Sequence, residues 1–136
     1  MPTPSRTDDL VADAIDFARS SLADVADSAK AGPMAAYLRT DMPFYGVQKA
    51  GRAPIARQLT RRCPPRDRDE YEAVVRGLWT LEHREEKYLA LAYARAFPSH
   101  IGVGSMPLYE DLIVDGAWWD LVDEAATKLV GVALAD

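Results

Sequence analysis

The chain has 136 residues, a mass of 15.0 kDa and a formal charge of −5, which fits one domain and at first argues against a nucleic-acid partner. Its 49% hydrophobic and 27% charged residues are typical of a soluble globular protein. Because the sequence has no apolar run long enough to span a bilayer and no secretion signal, we expect a cytoplasmic protein with no membrane partner. A single cysteine, Cys63, excludes an intrachain disulfide, and with only two histidines the composition argues against a metal site, so we expect neither metal nor cofactor.

The N-terminal part of the chain is predicted to form two helices. Apolar residues recur at helical spacing from Asp8 to about Ser28, and Gly32 is expected to end this first helix. Pro33 suits the first turn of a second helix, from Met34 to about Thr40.

The segment from Met42 to Val47 is predicted to be a turn that exposes two aromatic residues, Phe44 and Tyr45. Two interpretations of this pair stay open. The rings either stack on or insert into a partner, or they plug the junction between two helices.

A basic segment follows this turn. A short helix is predicted from Arg52 to Arg62, and Pro64-Pro65 stops it. From Lys49 to Arg68 there are seven basic residues and one acid, a local charge of +6 that leaves −11 on the rest of the chain. The segment is either a solvated basic helix and loop or a surface that faces a polyanion.

The C-terminal half is predicted to hold four more helices. The breaks between them lie at Pro98, at the loop with Gly102 and Gly104, and at Gly116. The predicted spans are Asp67 to Leu81, Arg84 to Phe97, Pro107 to Gly116, and Trp118 to about Ala135. No segment alternates apolar and polar residues as a strand would, so the fold class is all-α with about seven helices.

The helices from Asp67 to Phe97 and from Pro107 to Ala135 resemble two successive antiparallel pairs. Their spacing of about forty residues is typical of HEAT repeats, so we expect residues 1–136 to form one HEAT-like domain. Stacked pairs of this kind have a concave face that suits a long partner.

The last helix carries the sequence Trp118-Trp119-Asp120-Leu121-Val122-Asp123. Trp119 and Asp123 are four residues apart and share one helical face, so a ring and a carboxylate there could surround a cationic transition state. The alternative is structural, because carboxylates in a first helical turn also favour the helix dipole. A core-facing apolar stripe is predicted on another face, with Trp118, Val122, Ala125, Leu129 and Val132.

The remaining polar candidates are weaker. His83 is expected to be solvated at a helix start, and the adjacent Glu85 and Glu86 are expected to pair with nearby Arg or Lys. Ser99-His100 lacks the context of a catalytic triad, and the Gly102–Gly104 loop follows no strand and precedes no Lys-Ser or Lys-Thr, as a phosphate loop requires.

Four blocks of residues, in this order along the chain, resemble the DNA alkylation repair family of HEAT-like proteins, the AlkD-type alkylpurine DNA glycosylases. The likeness extends from about Met34 to Leu134. The blocks are Met34, Tyr37, Leu38 and Met42–Val47; Leu78-Trp79 with Arg84-Glu85 and Tyr88-Leu89-Ala90; Leu108–Ile113; and Trp118–Asp123.

The resemblance implies an enzyme that excises purines alkylated at N3 or N7 from double-stranded DNA. Asp123 and Trp119 match the family's catalytic aspartate and tryptophan, which stabilise the oxocarbenium-like sugar, position the attacking water and pack on the deoxyribose. Tyr37 matches a tyrosine near the lesion. The residues expected to contact DNA are Tyr37, Tyr45, Lys49, Arg52 and Trp118.

Three departures from the family pattern qualify this expectation. Asp115-Gly116-Ala117 replaces polar or basic residues, and Arg52 is the one arginine kept from a basic patch. The chain also stops shortly after Asp123, where relatives continue through more helices, so we expect an N-terminal part or a shortened relative. The alternative function is a non-catalytic HEAT-like module that binds DNA structure or a protein, and the exposed flank of the last helix suggests a homodimer.

Overall fold

The computed structural model describes residues 5–37, 42–116 and 129–135. Within these ranges the chain is helical and has no β-strand, which confirms the predicted all-α class, and the arrangement is consistent with a HEAT-like repeat. Two short 3-10 turns, Pro98–His100 and Val103–Ser105, connect the fifth and sixth helices. The described α-helices are α1 (Arg6–Asp24), α2 (Ser28–Tyr37), α3 (Lys49–Arg62), α4 (Arg68–Trp79), α5 (Arg84–Arg95), α6 (Met106–Gly116) and α7 (Gly131–Ala135).

The break between the first two helices lies earlier than the sequence predicted. It falls at residues 25–27, so Gly32 and Pro33 lie inside α2 rather than between helices. Asp27 explains the difference: its carboxylate accepts a backbone N–H two residues further on (3.0 Å), and its own N–H donates to the Tyr45 carbonyl oxygen (2.9 Å). A local cap and a tertiary hydrogen bond therefore outweigh the Gly-Pro pattern.

The helices pack in two layers. In one layer α1 contacts α4, and α4 contacts α6; in the other, α3 contacts α5. Contacts of α1 with α3 and of α4 with α5 join the layers. The predicted antiparallel pair over Asp67–Phe97 is confirmed as α4 and α5, which pack together across the short connection at residues 80–83.

The core lies between these layers and draws on nearly every helix. The apolar face predicted for α4 is confirmed, since all five of its residues are buried: Tyr71, Val74, Val75, Leu78 and Trp79. The same core includes Leu22 of α1, in the layer of α4, and Leu59 of α3 and Leu89 of α5 from the other layer, each at most 1% exposed. This interlayer packing fixes the positions of α3 and α5 relative to each other.

The buried hydroxyl of Tyr71 connects three helices, α4, α5 and α6, within the core. Tyr71 donates to the Ala94 carbonyl oxygen of α5 (2.8 Å), and its oxygen lies 3.0 Å from the Tyr109 hydroxyl of α6. His100 stacks on the Tyr71 ring with centroids 5.6 Å apart. His100 therefore packs against the core in the described structure, in agreement with the absence of a triad pattern around it.

At the C-terminal end, Leu129 and Ala133 are buried, but Val132 is 41% exposed. The prediction that Val132 faces the core is therefore wrong, because the turn that follows Leu129 places Ala133, not Val132, inward. Val114 of α6 and Leu134 of α7 are exposed as well, and pairing of two copies through this flank stays a prediction.

No helix in the described ranges is long and apolar enough to cross a membrane.

Candidate nucleic-acid interface

A groove runs between α3 and α5 in the second layer. It consists of two adjoining cavities, of about 430 Å³ and about 570 Å³, that share Lys49, Arg52 and Tyr88. We call it the α3–α5 groove. The first cavity is completed by Pro33, Met34, Tyr37, Phe44 and Gln48, and the second by Ala53, Ala56, Arg57, Leu89, Ala92 and Arg95.

Helical spacing explains why these residues meet. On α3 the lining positions are 49, 52, 53, 56 and 57, and on α5 they are 88, 89, 92 and 95. Both sets follow the three-and-four-residue steps of a single helical face. The small side chains Ala53, Ala56 and Ala92 leave room between the helices, and the long cationic ones stand at the edges.

The lining of the groove is strongly cationic. It includes Lys49, Arg52, Arg57 and Arg95 and no acidic residue. Within the described part of the chain, neither Lys49 nor Arg57 forms an ion pair, and both are exposed. An anionic partner therefore meets the exposed charges of Lys49 and Arg57 here, although the whole chain carries −5.

Two other arginines of the basic segment form ion pairs within the chain. Arg62 pairs with Asp13 across to α1 (3.1 Å), and Arg66 pairs with Glu70 (3.3 Å). These two arginines serve intramolecular contacts. Lys49, Arg52 and Arg57, by contrast, line the groove, and their contact with a polyanion stays a prediction.

Arg52 is held in a defined orientation. Its Nη1 donates to the Val47 carbonyl oxygen (3.3 Å), and its guanidinium carbon lies 4.2 Å from the centre of the Tyr88 ring. A cation over an aromatic face is attracted by the ring's quadrupole. The guanidinium is thus fixed at the point where the two cavities join.

The structure brings three of the predicted DNA-contacting residues to this groove: Tyr37, Lys49 and Arg52. Tyr37 is 86% exposed at the end of α2, so its ring is available for stacking on a partner. The groove also contains Arg57, which the sequence analysis counted in the basic segment, and Tyr88 and Arg95, which it did not expect to contact a partner. Only the three-dimensional packing of α3 on α5 places Tyr88 and Arg95 beside the predicted residues.

The exposed aromatic turn predicted at residues 42–47 is wrong. Phe44 is only 9% exposed, and Tyr45 is partly buried with its ring stacked on His83 at 3.9 Å between centroids. The Tyr45 hydroxyl donates to Glu86 Oε2 (3.0 Å), and burial together with this acceptor raises the pKa of Tyr45 to about 12. Tyr45 does not line the α3–α5 groove, and its contact with DNA stays a prediction.

Glu85 and Glu86 are buried, and their expected pairing with nearby Arg or Lys stays a prediction. Both carboxylates are at most 1% exposed and accept hydrogen bonds mainly from loop 43–48 and its neighbours. Glu85 accepts three backbone N–H groups of the loop, and Glu86 accepts the Tyr45 hydroxyl and the His83 N–H (2.8 Å). His83, expected to be solvated, packs against Tyr45 instead. Two adjacent acids in the first turn of α5 were the available signal for this arrangement, because carboxylates there favour the helix dipole.

The proposed catalytic residues Trp119 and Asp123, and Trp118, which was expected to contact DNA, lie outside the residues that the structure describes. Among the described residues, no three His, Cys, Asp or Glu side chains come together as a metal site.

One comparison with known proteins gives a match. A family model described as "DNA alkylation repair enzyme" matches residues 18–136, which is well over half of the chain. No curated protein matches the chain. The family match includes the helices that build the groove, α3 and α5, as well as Trp119 and Asp123, and the chain therefore belongs to the family of DNA alkylation repair enzymes.

Proposed function

We propose that the chain binds double-stranded DNA along the α3–α5 groove and excises purines that carry a positive charge from alkylation at N3 or N7. The observation that supports this most is the row of four cations without an acid in the groove, found in a chain of the DNA alkylation repair family. Lys49, Arg52, Arg57 and Arg95 would contact phosphates.

Phosphate contacts of this kind give affinity without sequence preference. Each neutralised phosphate releases condensed counterions. The logarithm of the association constant therefore falls by about 0.9 per phosphate contact for each tenfold increase in salt concentration. Tyr37 adds an exposed ring next to Lys49, suited to the apolar face of a sugar or base. Such a groove recognises the duplex rather than a sequence, which suits an enzyme that must inspect every purine.

The chemistry needs little from the protein beyond charge. An N3- or N7-alkylated purine is already cationic, so when the bond from C1′ to the base nitrogen breaks, its electron pair neutralises the departing base. The sugar becomes oxocarbenium-like, and water adds its oxygen to C1′ and releases a proton to solvent. In the proposal the Asp123 carboxylate stabilises the sugar cation and orients this water, and the Trp119 ring packs on the deoxyribose.

The test is release of methylated purine from a duplex treated with a methylating agent, measured against the same duplex without protein. We expect the wild type to accelerate release. Asp123→Asn removes the anion while keeping the shape, and we expect release to fall on the order of 100-fold. Asp120→Asn is the matched control, since it removes the same charge three residues away and is expected to leave release unchanged.

The outcomes separate the two function classes. If the wild type releases no base yet binds duplex DNA in a salt-dependent manner, the chain is a non-catalytic DNA-binding module. If Asp123→Asn and wild type release base at the same rate, the role given to Asp123 is wrong.

A further inference from the structure

Glu85, the second residue of α5, carries a buried charge that is heavily hydrogen-bonded. Its side chain is fully buried, and its two oxygens accept three consecutive backbone N–H groups. Oε1 accepts from Tyr45 (3.0 Å), and Oε2 accepts from Gly46 (2.9 Å) and Val47 (3.0 Å). Hydrogen bonds to an ionised carboxylate are stronger than those between neutral groups, so three on one side chain make a firm attachment.

Loop 43–48 is shaped for this anion. Gly46 has φ +90°, a left-handed conformation that lets successive N–H groups point to one side and form an anion-binding concavity. A Cβ at Gly46 would collide with the Asp27 carbonyl oxygen, so the close approach of the loop to the α1–α2 connection also requires glycine. The carboxylate that fills the concavity belongs to the chain itself.

The attachment continues directly into the α3–α5 groove. Val47 donates its backbone N–H to Glu85, and its carbonyl oxygen accepts a hydrogen bond from Arg52 Nη1 (3.3 Å). Lys49, the first residue of α3, follows two residues after Val47. Arg52 lies over the ring of Tyr88, which is on α5 three residues after Glu85. The contacts thus form a closed ring from α5 through the loop to α3 and back to α5.

From this ring we infer that Glu85 is a positioning residue for the groove: its carboxylate holds loop 43–48 so that Arg52 and Lys49 present their charges to DNA. The inference rests on the proposed function and adds to it a residue that touches no DNA. An acid behind the groove thus sets the geometry of the cations within it.

The role requires both oxygens of a carboxylate. A glutamine at position 85 offers one carbonyl oxygen, and its amide would point N–H donors at the N–H groups of the loop. Glu86 does not substitute, because its oxygens already accept the Tyr45 hydroxyl and the His83 N–H. Glu85→Gln should therefore release the loop while the interlayer core stays packed.

The first experiment compares Glu85→Gln with Glu82→Gln, which removes the same charge from an exposed side chain three residues earlier. Binding to an unmodified duplex is measured by fluorescence anisotropy at a temperature where circular dichroism shows both variants folded. We expect Glu85→Gln to bind about tenfold more weakly, and its salt slope to fall by about 1 because one phosphate contact is lost. Glu82→Gln should bind like the wild type. Glu85→Asp keeps the charge on a side chain that is one methylene shorter, and its affinity for the duplex should lie between those of the wild type and Glu85→Gln.

A double-mutant cycle with Arg52→Ala separates positioning from general destabilisation. If Glu85 acts by holding Arg52, then Glu85→Gln should weaken binding much less in the Arg52→Ala background than in the wild type. Equal weakening in both backgrounds would overturn the inference, as would wild-type affinity in Glu85→Gln.

Amide hydrogen exchange tests the attachment without DNA. In Glu85→Gln the amides of Tyr45, Gly46 and Val47 should exchange at least about tenfold faster, while those in the middle of α4 should not change. Unchanged exchange at the three amides overturns the inference even if DNA binding fails. Absence of duplex binding by the wild type, with fast exchange in Glu85→Gln, contradicts the proposed function and leaves the attachment of the loop demonstrated.

Discussion

Arg52 shows how tertiary contacts orient a charged side chain. The basic composition around it was visible in the sequence, but its two partners come from elsewhere: the Val47 carbonyl oxygen from the preceding loop and the Tyr88 ring from α5. A cation over a ring that is half-buried, as Tyr88 is, contributes only about 1 kcal/mol. The value of these contacts is therefore orientation, since they limit the rotamers of a long side chain before a phosphate arrives.

Cys63 is the residue whose chemistry the fold suppresses most clearly. Its side chain is fully buried, and the thiol donates to Asp13 Oδ2 at 3.6 Å. Burial, reinforced by the Asp13 charge, raises the pKa of Cys63 from 9.0 to about 11. The reactive thiolate is therefore suppressed about 100-fold at neutral pH, in addition to being shielded.

We therefore predict that a thiol reagent such as 5,5′-dithiobis(2-nitrobenzoate) modifies native Cys63 far more slowly than Cys63 in urea-unfolded protein. Absorbance at 412 nm follows the reaction. The unfolded chain serves as the control because the same thiol then has its ordinary pKa. Similar rates in both states would contradict the burial of Cys63.

At the scale of single elements, the start of α4 is stabilised by a chain of caps. Asp67 accepts the Glu70 N–H (2.8 Å), and Glu70 in turn accepts the Arg66 backbone N–H (2.8 Å) and its guanidinium (3.3 Å). These hydrogen bonds from Arg66, led by the backbone one, lower the pKa of Glu70 below its usual 4.5.

The lowered pKa predicts a pH dependence with a definite sign. Glu70 stabilises the fold fully above its ordinary pKa of 4.5, and this contribution is lost as the pH falls through the lower folded-state pKa. We expect Glu70→Gln to lower the free energy of unfolding at pH 7 and to lose less stability on acidification. Urea denaturation at several pH values measures both, with Asp69→Asn as the exposed neighbouring control. Parallel pH curves for Glu70→Gln and wild type would contradict the role of Glu70.

Helices with a continuous apolar face were predictable from sequence, and the connections were not. The residues of α4 repeat with helical spacing and all five predicted core positions are buried, because the pattern is set locally. The break after α1 depends instead on a hydrogen bond from Asp27 to Tyr45, eighteen residues later in the chain. The same holds for loop 43–48: the sequence left open whether its aromatic residues contact a partner or plug a helix junction, and they pack inward where Glu85 and Glu86 bind the loop.

For the whole molecule, charge segregation is the feature that links fold and proposed function. The chain carries −5 overall, yet the described groove between α3 and α5 is lined by four cations and no acid. Sequence alone identified Tyr37, Lys49 and Arg52 as candidates for this surface. Arg57 was already part of the basic segment, whereas Tyr88 and Arg95 could not be assigned, because they join the others only once α5 packs against α3.

The measurement that most directly tests the central claim is the salt dependence of duplex binding by fluorescence anisotropy. It compares the wild type with the double variant Lys49→Ala/Arg57→Ala and with the control Arg6→Ala/Arg76→Ala, which removes the same charge from the other layer. We predict that the groove variant binds more weakly and that its salt slope falls by about 2, while the control keeps the wild-type slope. Equal losses in both double variants, or binding that does not depend on salt, would contradict DNA binding through the α3–α5 groove.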